Sequence, residues 1–202
     1  MCTGKCAKCI AVVLYPLALT SIICNLMLFF PDWKTIYAQE DREGKGTRIT
    51  DEVNYMGGVI GGGIMVLIPA IHIHLTGKKG CCANRCGMFL SIGFAAVGVL
   101  GALYNLATAS VGLSKGPVCL YQASATQQVW GRPFDNNGTY LSHPDTWDKC
   151  LEPKDVVQFN VALFAILLVA ACLELILCGF QMVNGLFGCI CGTCNSSDVG
   201  AF

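Results

Sequence analysis

Four long apolar runs constrain this chain more than any other feature of its sequence. They cover residues 10–30, 56–75, 88–113 and 156–180. Each run is long enough to cross a hydrocarbon core about 30 Å thick. The runs also explain why only 13% of the 202 residues are charged, where an ordinary soluble domain carries about 25%. One soluble core could not bury four such runs, so the sequence predicts an all-α membrane protein built as a four-transmembrane-helix bundle.

Five hydrophilic segments separate and flank these runs: residues 1–9, 31–55, 76–87, 114–155 and 181–202. The first run is preceded by a short basic start but shows no small-residue cleavage pattern, so we expect a retained first helix. Segment 31–55 mixes acids and bases without a cysteine and reads as a solvated connection. In that connection Trp33 and Tyr37 are expected at the membrane boundary, as interfacial aromatics are.

The segment 114–155 is the longest one compatible with water, and it holds two cysteines, Cys119 and Cys150. A disulfide between them would close a loop of about 30 residues, worth roughly 3–4 kcal/mol in the chain-entropy model. The same segment contains Asn137-Gly138-Thr139, an acceptor pattern for an N-linked glycan. Both features predict a loop that lies outside the cell or in a lumen.

Four aromatic residues lie between these two cysteines: Trp130, Phe134, Tyr140 and Trp147. Their rings could form a partner-binding face or the loop's own small core. We favour the core, because a loop this short has little else to bury.

Cysteine placement predicts the orientation of the chain. With four spans, the N-terminus, the middle loop and the C-terminal tail share one side of the membrane. Those segments contain nine of the 14 cysteines: Cys2, Cys6, Cys9, Cys81, Cys82, Cys86, Cys189, Cys191 and Cys194. An oxidising compartment favours a lone pair that closes one loop and disfavours nine thiols in short segments. The sequence therefore predicts cytosolic N- and C-termini.

Basic residues do not support this orientation. The predicted cytosolic segments hold five lysines and arginines, and the opposite side holds eight, whereas cytosolic loops usually carry the excess. The orientation consequently depends on the cysteines and Asn137. A second acceptor pattern, Asn195-Ser196-Ser197, would then be cytosolic and unused.

Three readings of the nine cytosolic cysteines are open. S-acylation is favoured, because juxtamembrane cysteines lie where an acyl chain can enter the bilayer. Zinc binding is disfavoured, because a structural zinc site needs two well-ordered ligand pairs. His72 and His74 are two residues apart and suit a shared metal poorly. The third reading is inert thiols, and no cofactor is expected.

Small residues predict close helix packing. Gly57/Gly61 and Gly58/Gly62 are spaced four apart in the second run, so each pair lines a helix face. The third run offers small residues that could pack against them: Ser91, Ala95, Gly98 and Ala102. A general small-residue interior is the alternative.

Glu174 is the only acidic or basic residue deep in a run. A charge there is costly, so this side chain is expected to be protonated, paired or facing a polar cavity. Its candidate companions are Asn25, Asn105 and Asn160, with Gln181 nearer the helix end. We favour a structural interhelical hydrogen bond over a transport or sensing role.

Several segments resemble the transmembrane 4 L-six antigen family. They are Met1 to Cys9, Phe29-Phe30-Pro31, Gly116 to Cys119, Trp147 to Pro153 and Gln181 to Gly185. The similarity runs from Cys2 to about Cys194, although the first loop is longer and more charged than the family pattern and the middle cysteine-rich turn is shorter. Tetraspanins, claudins and connexins fit less well, because their characteristic loop cysteines are absent.

This resemblance implies four tetraspanin-like spans, a surface or endomembrane location and no catalytic site. The sequence itself contains no paired catalytic carboxylates, nucleophile elbow or phosphate loop. We therefore expect a non-enzymatic membrane organiser or adaptor that associates laterally with receptors or adhesion proteins and influences growth, adhesion or migration. Association with a second copy of the chain is also open. The alternative is a small-molecule sensor or transporter accessory with a polar intramembrane pocket around Glu174. No nucleic-acid partner is indicated, since the net charge is zero.

Overall fold

The computed structural model describes residues 3–38, 48–76, 85–124, 127–135 and 138–191. Its helices are α1 (Thr3–Met27), α2 (Asp51–Asn54), α3 (Met65–Thr76), α4 (Arg85–Lys115) and α5 (Val156–Cys191). A π-helical segment (Gly57–Ile64) precedes α3. Three strands, β1 (Cys119–Ser124), β2 (Gln127–Gly131) and β3 (Cys150–Glu152), lie between α4 and α5.

Four stretches of helix are long and apolar enough to cross a membrane, which confirms the predicted fold class. They are Lys5–Met27, Gly57–Leu75, Phe89–Lys115 and Val156–Ile190. The first and last helices continue beyond the apolar runs: α1 begins at Thr3 and α5 ends at Cys191. The helical residues outside the apolar runs, 3–9 in α1 and 181–191 in α5, contain no proline. Backbone hydrogen bonding can therefore continue beyond the apolar runs.

The four spans pack as a bundle in which α5 contacts both α4 and α1, and α3 contacts both α4 and α1. Two apolar clusters fill its interior. One lies near the N-terminal half of α1 and includes Leu14, Val66, Ile73 and Cys178. The other lies at the end from which segment 116–155 projects.

The second span is not one regular α-helix. Chain direction changes at Met56, which has a left-handed backbone (φ 50°), and residues Gly57–Ile64 then form the π-helix. Proline at position 69 lies within α3. A π-helix is rare and widens the helical turn, and hydropathy carries no signal for it. All five glycines of this segment are buried.

The paired glycines lie against two different helices. At Gly61 a Cβ atom would lie 2.5 Å from the backbone oxygen of Gly101 in α4, and at Gly57 it would overlap Thr108. At Gly58 a Cβ atom would lie 2.6 Å from the backbone oxygen of Ser21 in α1. The glycines thus allow the backbone of the second span to contact α1 on one side and α4 on the other.

The second and third spans pack against each other, as expected, and the small residues of the third span also contact the fourth span. Ala95 and Ala102 are fully buried. Ser91 accepts a hydrogen bond from Gln181 of α5, and a Cβ atom at Gly98 would lie 2.7 Å from Cys178 of α5. This face therefore contacts the fourth span, and a Cβ atom at Gly98 would also lie 3.5 Å from Pro69 of the second span.

Residues 116–155 form a small domain, which we call the cap. Its three strands pair antiparallel in the order β2-β1-β3. Cys119 on β1 and Cys150 on β3 form a disulfide with their Cα atoms 5.6 Å apart. The predicted disulfide is confirmed, and it joins the end of α4 to the beginning of α5.

Two cap aromatics form its core, as favoured from the sequence. The rings of Phe134 and Tyr140 stack at 4.8 Å, and both side chains are buried. The Tyr140 hydroxyl donates to the Leu113 carbonyl at 2.5 Å, and Trp147 Nε1 donates to the Tyr140 carbonyl at 2.9 Å. Burial raises the pKa of Tyr140 to about 12, so its hydroxyl remains a donor at neutral pH. These bonds fix the cap to the last turn of α4.

We predict that Gly58→Ala destabilises the bundle by about 1–3 kcal/mol, because a methyl group there would meet backbone that cannot move aside. Gly93→Ala is the matched control, since nothing lies within 4 Å of a Cβ atom at Gly93. Thermal unfolding of the two purified variants in detergent measures the difference. Equal midpoints for the two variants would contradict the close approach.

Candidate functional site

Glu174 lies in the middle of α5 and is fully buried. Its Oε1 atom accepts a hydrogen bond from Ser21 Oγ of α1 at 3.2 Å. Its Oε2 atom has no hydrogen-bond partner within the described residues. The structure thus places a hydroxyl from α1, and not one of the expected asparagines, in direct contact with the carboxyl group.

Asn105 of α4 is also fully buried, and both polar atoms of its side chain lack hydrogen-bond partners among the described residues. A Cβ atom at Gly62 would lie 2.4 Å from Asn105 Nδ2 and 2.8 Å from Ser21 Oγ. The absence of a side chain at Gly62 therefore lets Ser21 and Asn105 approach each other. This polar cluster brings residues of all four spans close together, and the Ser21–Glu174 hydrogen bond joins two of them.

Asn25 of α1 has a different role from Glu174. Its Oδ1 atom accepts hydrogen bonds from the backbone N–H groups of Gly58 at 2.8 Å and Val59 at 3.2 Å. The first N–H groups of a helix have no partner inside it. In a membrane such groups need a protein acceptor, so Asn25 caps the second span from the neighbouring helix.

Asn160 lies apart from these groups. Its Oδ1 accepts from Thr50 Oγ1 at 3.2 Å, and its Nδ2 donates to the Val156 carbonyl at 3.1 Å. It is 14 residues, or about 21 Å, along α5 from Glu174. Asn160 ties the beginning of α5 to the first loop (residues 31–55), so the polar residues predicted for the spans do not meet at one point.

Two cavities of the described chain lie outside the polar cluster. One, of about 310 Å³, is an apolar groove between α1 and α5. Another, of about 180 Å³, lies in the cap beside Trp147 and Asp148. Neither is lined by Glu174 or Asn105.

A buried ion pair joins the cap to the first loop. Arg132 of the cap donates to Glu52 Oε2 at 2.7 Å, to Glu52 Oε1 at 3.2 Å and to Asp51 Oδ2 at 3.0 Å. Lys115 Nζ lies 3.4 Å from Glu52 Oε1. The Glu52 side chain is 2% exposed and that of Arg132 is 12% exposed. Each of these charges is removed from water, so losing one partner would leave the other as an unpaired buried charge and destabilise the fold.

The ion pair determines the charge state of both partners. Burial alone would raise the pKa of Glu52, but the hydrogen bonds from Arg132 and from its own backbone N–H, with the charges of Arg132 and Lys115, lower it below its ordinary value. Burial likewise opposes the charge of Arg132, and the hydrogen bond and charge of Glu52 raise its pKa. Both groups are charged at neutral pH.

An aromatic contact runs alongside this ion pair. The Trp130 ring lies 6.0 Å from the Tyr37 ring, and the Arg48 guanidinium lies 4.9 Å from the Trp130 centroid. Tyr37 is 5% exposed, whereas Trp33 is 77% exposed. Of the two expected boundary aromatics, only Trp33 is open to its surroundings. In the described part of the first loop, Tyr37, Ile49, Glu52 and Val53 are buried and residues 33–36 are exposed. The charged middle of the expected solvated connection, residues 40–43, lies outside the described residues.

The candidate acylation cysteines are only partly described. Cys6 and Cys9 are exposed on α1, and Cys189 is half-buried on α5. Cys86 and Cys191 lie at helix ends, without described side chains. Cys2, Cys81, Cys82 and Cys194, and the predicted glycan acceptor Asn137, lie outside the described residues. Within the described ranges no group of three or more His, Cys, Asp or Glu side chains could hold a metal ion.

Four membrane spans with a disulfide-closed cap between the last two define a class of four-span, multi-pass membrane proteins. Residues 1–195 match the family model described as L6 membrane protein. The chain belongs to the L6 membrane protein family.

Its relatives cover nearly the whole chain. It is 42% identical over 204 residues to Transmembrane 4 L6 family member 5 of Homo sapiens, with 98% of each chain covered. It is 41% identical to family member 4 of Rattus norvegicus, covering 96% of this chain and 94% of the relative. Family member 1 of Homo sapiens is 39% identical, with 97% and 96% covered. No solved structure matches the chain.

We predict that Glu52→Gln destabilises the cap–loop contact by about 1–3 kcal/mol at neutral pH, because buried Arg132 then faces a poorer partner. The pKa of Glu52 is lowered on folding, so its contribution is present above the ordinary value of 4.5 and is lost as pH falls through the folded value. Unfolding midpoints from about pH 7 downward should therefore fall in acid for the native chain. The unfolding midpoint of the Glu52→Gln variant should fall less over the same pH range, because the variant has no carboxyl group at this position to take up a proton.

The control for this prediction is Lys34→Gln, which breaks the ion pair between Lys34 and Asp32 at 2.6 Å. That pair is exposed to water, and its loss should leave the unfolding midpoint unchanged. Equal effects of Glu52→Gln and Lys34→Gln would show that the cap–loop ion pair does not stabilise the protein.

Proposed function

We propose that this protein is a non-enzymatic organiser of membrane proteins, which associates laterally with receptors or adhesion proteins and presents a selecting surface at the cap. The observation that carries this proposal is the contact between the cap and the first loop. Arg132 and Trp130 hold Glu52 and Tyr37, which are far away in sequence, so both loops form one preorganised platform. A preorganised surface loses less conformational entropy when it binds a partner.

The bundle supports lateral association in its own way. Its close packing is internal, through the glycines of the second span, and large apolar side chains such as Leu100, Val169 and Phe180 project outward. In a bilayer these side chains contact lipid or the spans of another protein, and association between spans depends on such packing. Both hetero-association and self-association are compatible with this outer surface.

The proposed topology places the cap and the first loop outside the cell or in an endomembrane lumen, and both termini in the cytosol. The disulfide of the cap supports this arrangement, because such bonds persist in oxidising compartments. Glycosylation of Asn137 is part of the same proposal. The locations that fit are the plasma membrane and endomembranes.

S-acylation of juxtamembrane cysteines is the second part of the proposal. The exposed thiols of Cys6 and Cys9 support it, since both lie at the end of the first span that is proposed to face the cytosol. Attached acyl chains would tune which lipid domain and which partners the protein meets.

A second candidate function is a sensor for a small polar molecule within the membrane. It is favoured by the unpartnered side-chain atoms of Asn105 and the unpartnered Oε2 of Glu174, since buried polar groups usually have partners. Against it, the Ser21 bond already engages the carboxyl group. The organiser remains the better supported function.

We predict that glycosidase treatment shifts the mobility of the native protein on a gel and that Asn137→Gln abolishes the shift. The reason is that glycan addition occurs only on the lumenal side, where the cap is proposed to lie. Asn195→Gln is the control and should keep the shift. Loss of the shift in Asn195→Gln alone would reverse the proposed orientation.

We predict that a reproducible set of receptors or adhesion proteins co-purifies with the native protein after crosslinking in cells and purification in mild detergent. Exchanging residues 116–155 for the corresponding loop of family member 1 should change that set, because the cap is proposed to select partners. The Asn195→Gln variant, changed outside both loops, should leave it unchanged. A protein that purifies alone with a bound small molecule, released by Glu174→Gln, would instead support the sensor.

A further inference from the structure

An apolar groove of about 310 Å³ runs between α1 and α5 on the outer surface of the bundle. Its walls are formed by Leu17 and Thr20 of α1 and by Ala165, Ile166, Val169 and Leu173 of α5. The Thr20 hydroxyl donates to the Pro16 carbonyl of its own helix at 2.8 Å, so it offers no donor to the groove. A ligand with a polar group has nothing to bind here, and the groove fits a hydrocarbon chain.

The groove lies near the middle of the membrane. Thr20 is about two-thirds of the way along the first candidate span, and Val169 lies in the outer half of the long last span. Ile166, Val169 and Leu173 are exposed on the surface of the bundle. Because this surface faces the lipid core, water cannot fill the groove and an acyl chain is the available occupant.

Two exposed cysteines, Cys6 and Cys9, lie on α1 on the N-terminal side of this groove. Cys9, Val13 and Leu17 are spaced by four residues and share one helix face. Thr20 follows Cys9 by 11 residues, or three turns and about 16 Å. One leaflet of the hydrocarbon core is about 15 Å deep, which is the reach of an acyl chain anchored at the membrane surface. Val13, between the cysteine and the groove, is exposed and open to contact with such a chain.

We propose that the groove between α1 and α5 is the seat of an acyl chain carried by Cys9 of the same molecule. The chain leaves Sγ at the cytosolic end of α1, passes Val13 and inserts its methyl end between Leu17, Thr20 and Val169. This assignment deepens the S-acylation part of the proposed function and depends on it.

Acylation requires a donor, which is an acyl thioester such as acyl-coenzyme A. The Cys9 thiolate attacks the thioester carbonyl carbon, a new carbon–sulfur bond forms, and the carbon–sulfur bond to the donor breaks. The donor sulfur leaves as a thiolate and takes up the proton that Cys9 has lost. No electron transfer is involved.

Distance favours Cys9 over Cys6 and Cys189, the other described cysteines near the proposed cytosolic surface. Cys6 is one turn further from the groove, about 4.5 Å along the axis. Cys189 is 16 residues, or about 24 Å, from Leu173 along α5, which is beyond the depth of one leaflet. Cys172 is exposed within the span itself, away from either membrane surface.

A seated acyl chain would fill the space between the first and last spans. It would add apolar contacts to both helices and remove that strip of surface from contact with other proteins. Deacylation would open the same strip. The acyl chain would therefore act as a removable part of the lateral interface, and its effect would be local to α1 and α5.

The experiment feeds cells expressing the full chain a fatty acid that carries an alkyne and a diazirine near its methyl end. Irradiation followed by mass spectrometry should place intramolecular crosslinks on α1 around Leu17–Thr20 and on α5 around 165–173. Cys9→Ser should eliminate these crosslinks, and Cys6→Ser should retain them. Ala165→Phe fills the groove and should move the crosslinks to other positions. Ala107→Phe, at an exposed position of α4 outside the groove, should leave them in place.

Three results would overturn the assignment. Crosslinks in the groove that persist in Cys9→Ser would show that a diffusible lipid tail, or another cysteine's chain, occupies it. A chain on Cys9 that crosslinks elsewhere, or a Cys9 without any acyl group, would show that the groove is not its seat. The organiser function is tested by co-purifying partners, so it can stand if this assignment fails.

Discussion

The close approach of the second span to its neighbours is the contact on which the rest of the bundle depends. Within a bilayer no water can satisfy a backbone N–H or carbonyl, so an irregular segment must find its partners in the protein. The π-helical segment Gly57–Ile64 meets this requirement because it lacks side chains where it touches α1 and α4, and because Asn25 supplies the acceptor for its first N–H groups. Larger residues in place of these glycines would push the spans apart and so change the distances between Ser21, Asn105 and Glu174.

Local physics explains what the sequence predicts well. Hydropathy is a property of each run by itself, so the four spans follow from it. The disulfide follows from the position of two cysteines in one hydrophilic segment, and the cap core follows from its aromatic content. The polar residues of the spans are also visible, because any polar group at membrane depth is unusual. None of these conclusions requires knowing which elements are neighbours.

The remaining features depend on neighbours, and the sequence contains no direct signal for them. Arg132 and Glu52 are 80 residues apart, and charge alternation in the first loop reads as solvated until their contact is known. Ser21 is a common residue in apolar runs, so nothing marks it as the partner of Glu174, apart from its spacing of four from Asn25. Small residues on α4 do not reveal which span they face, because Ser91 and Gly98 also contact α5. The π-helix escapes prediction because glycine permits it without requiring it.

Three parts of the molecule differ in physical character: the end that carries the cap, the interior of the bundle and its outer surface. At one end, charges and aromatic rings removed from water hold two loops in a fixed relation. In the middle, Glu174 and Asn25 form hydrogen bonds to neighbouring spans, whereas the Asn105 side chain has no partner among the described residues. Along the outside, apolar side chains face lipid, and proposed acylation adds to that surface. Recognition of soluble parts of a partner and recognition of its spans are thus assigned to different surfaces of one small protein.

The disulfide also has a mechanical consequence. Cys119 follows the end of α4 by four residues, and Cys150 precedes the start of α5 by six, so the bond braces these two helices at one end. The Tyr140–Leu113 hydrogen bond tightens the same joint. Helices braced in this way can tilt about the joint but cannot slide past each other along their axes. A force applied to the cap is therefore transmitted to α4 and α5 together.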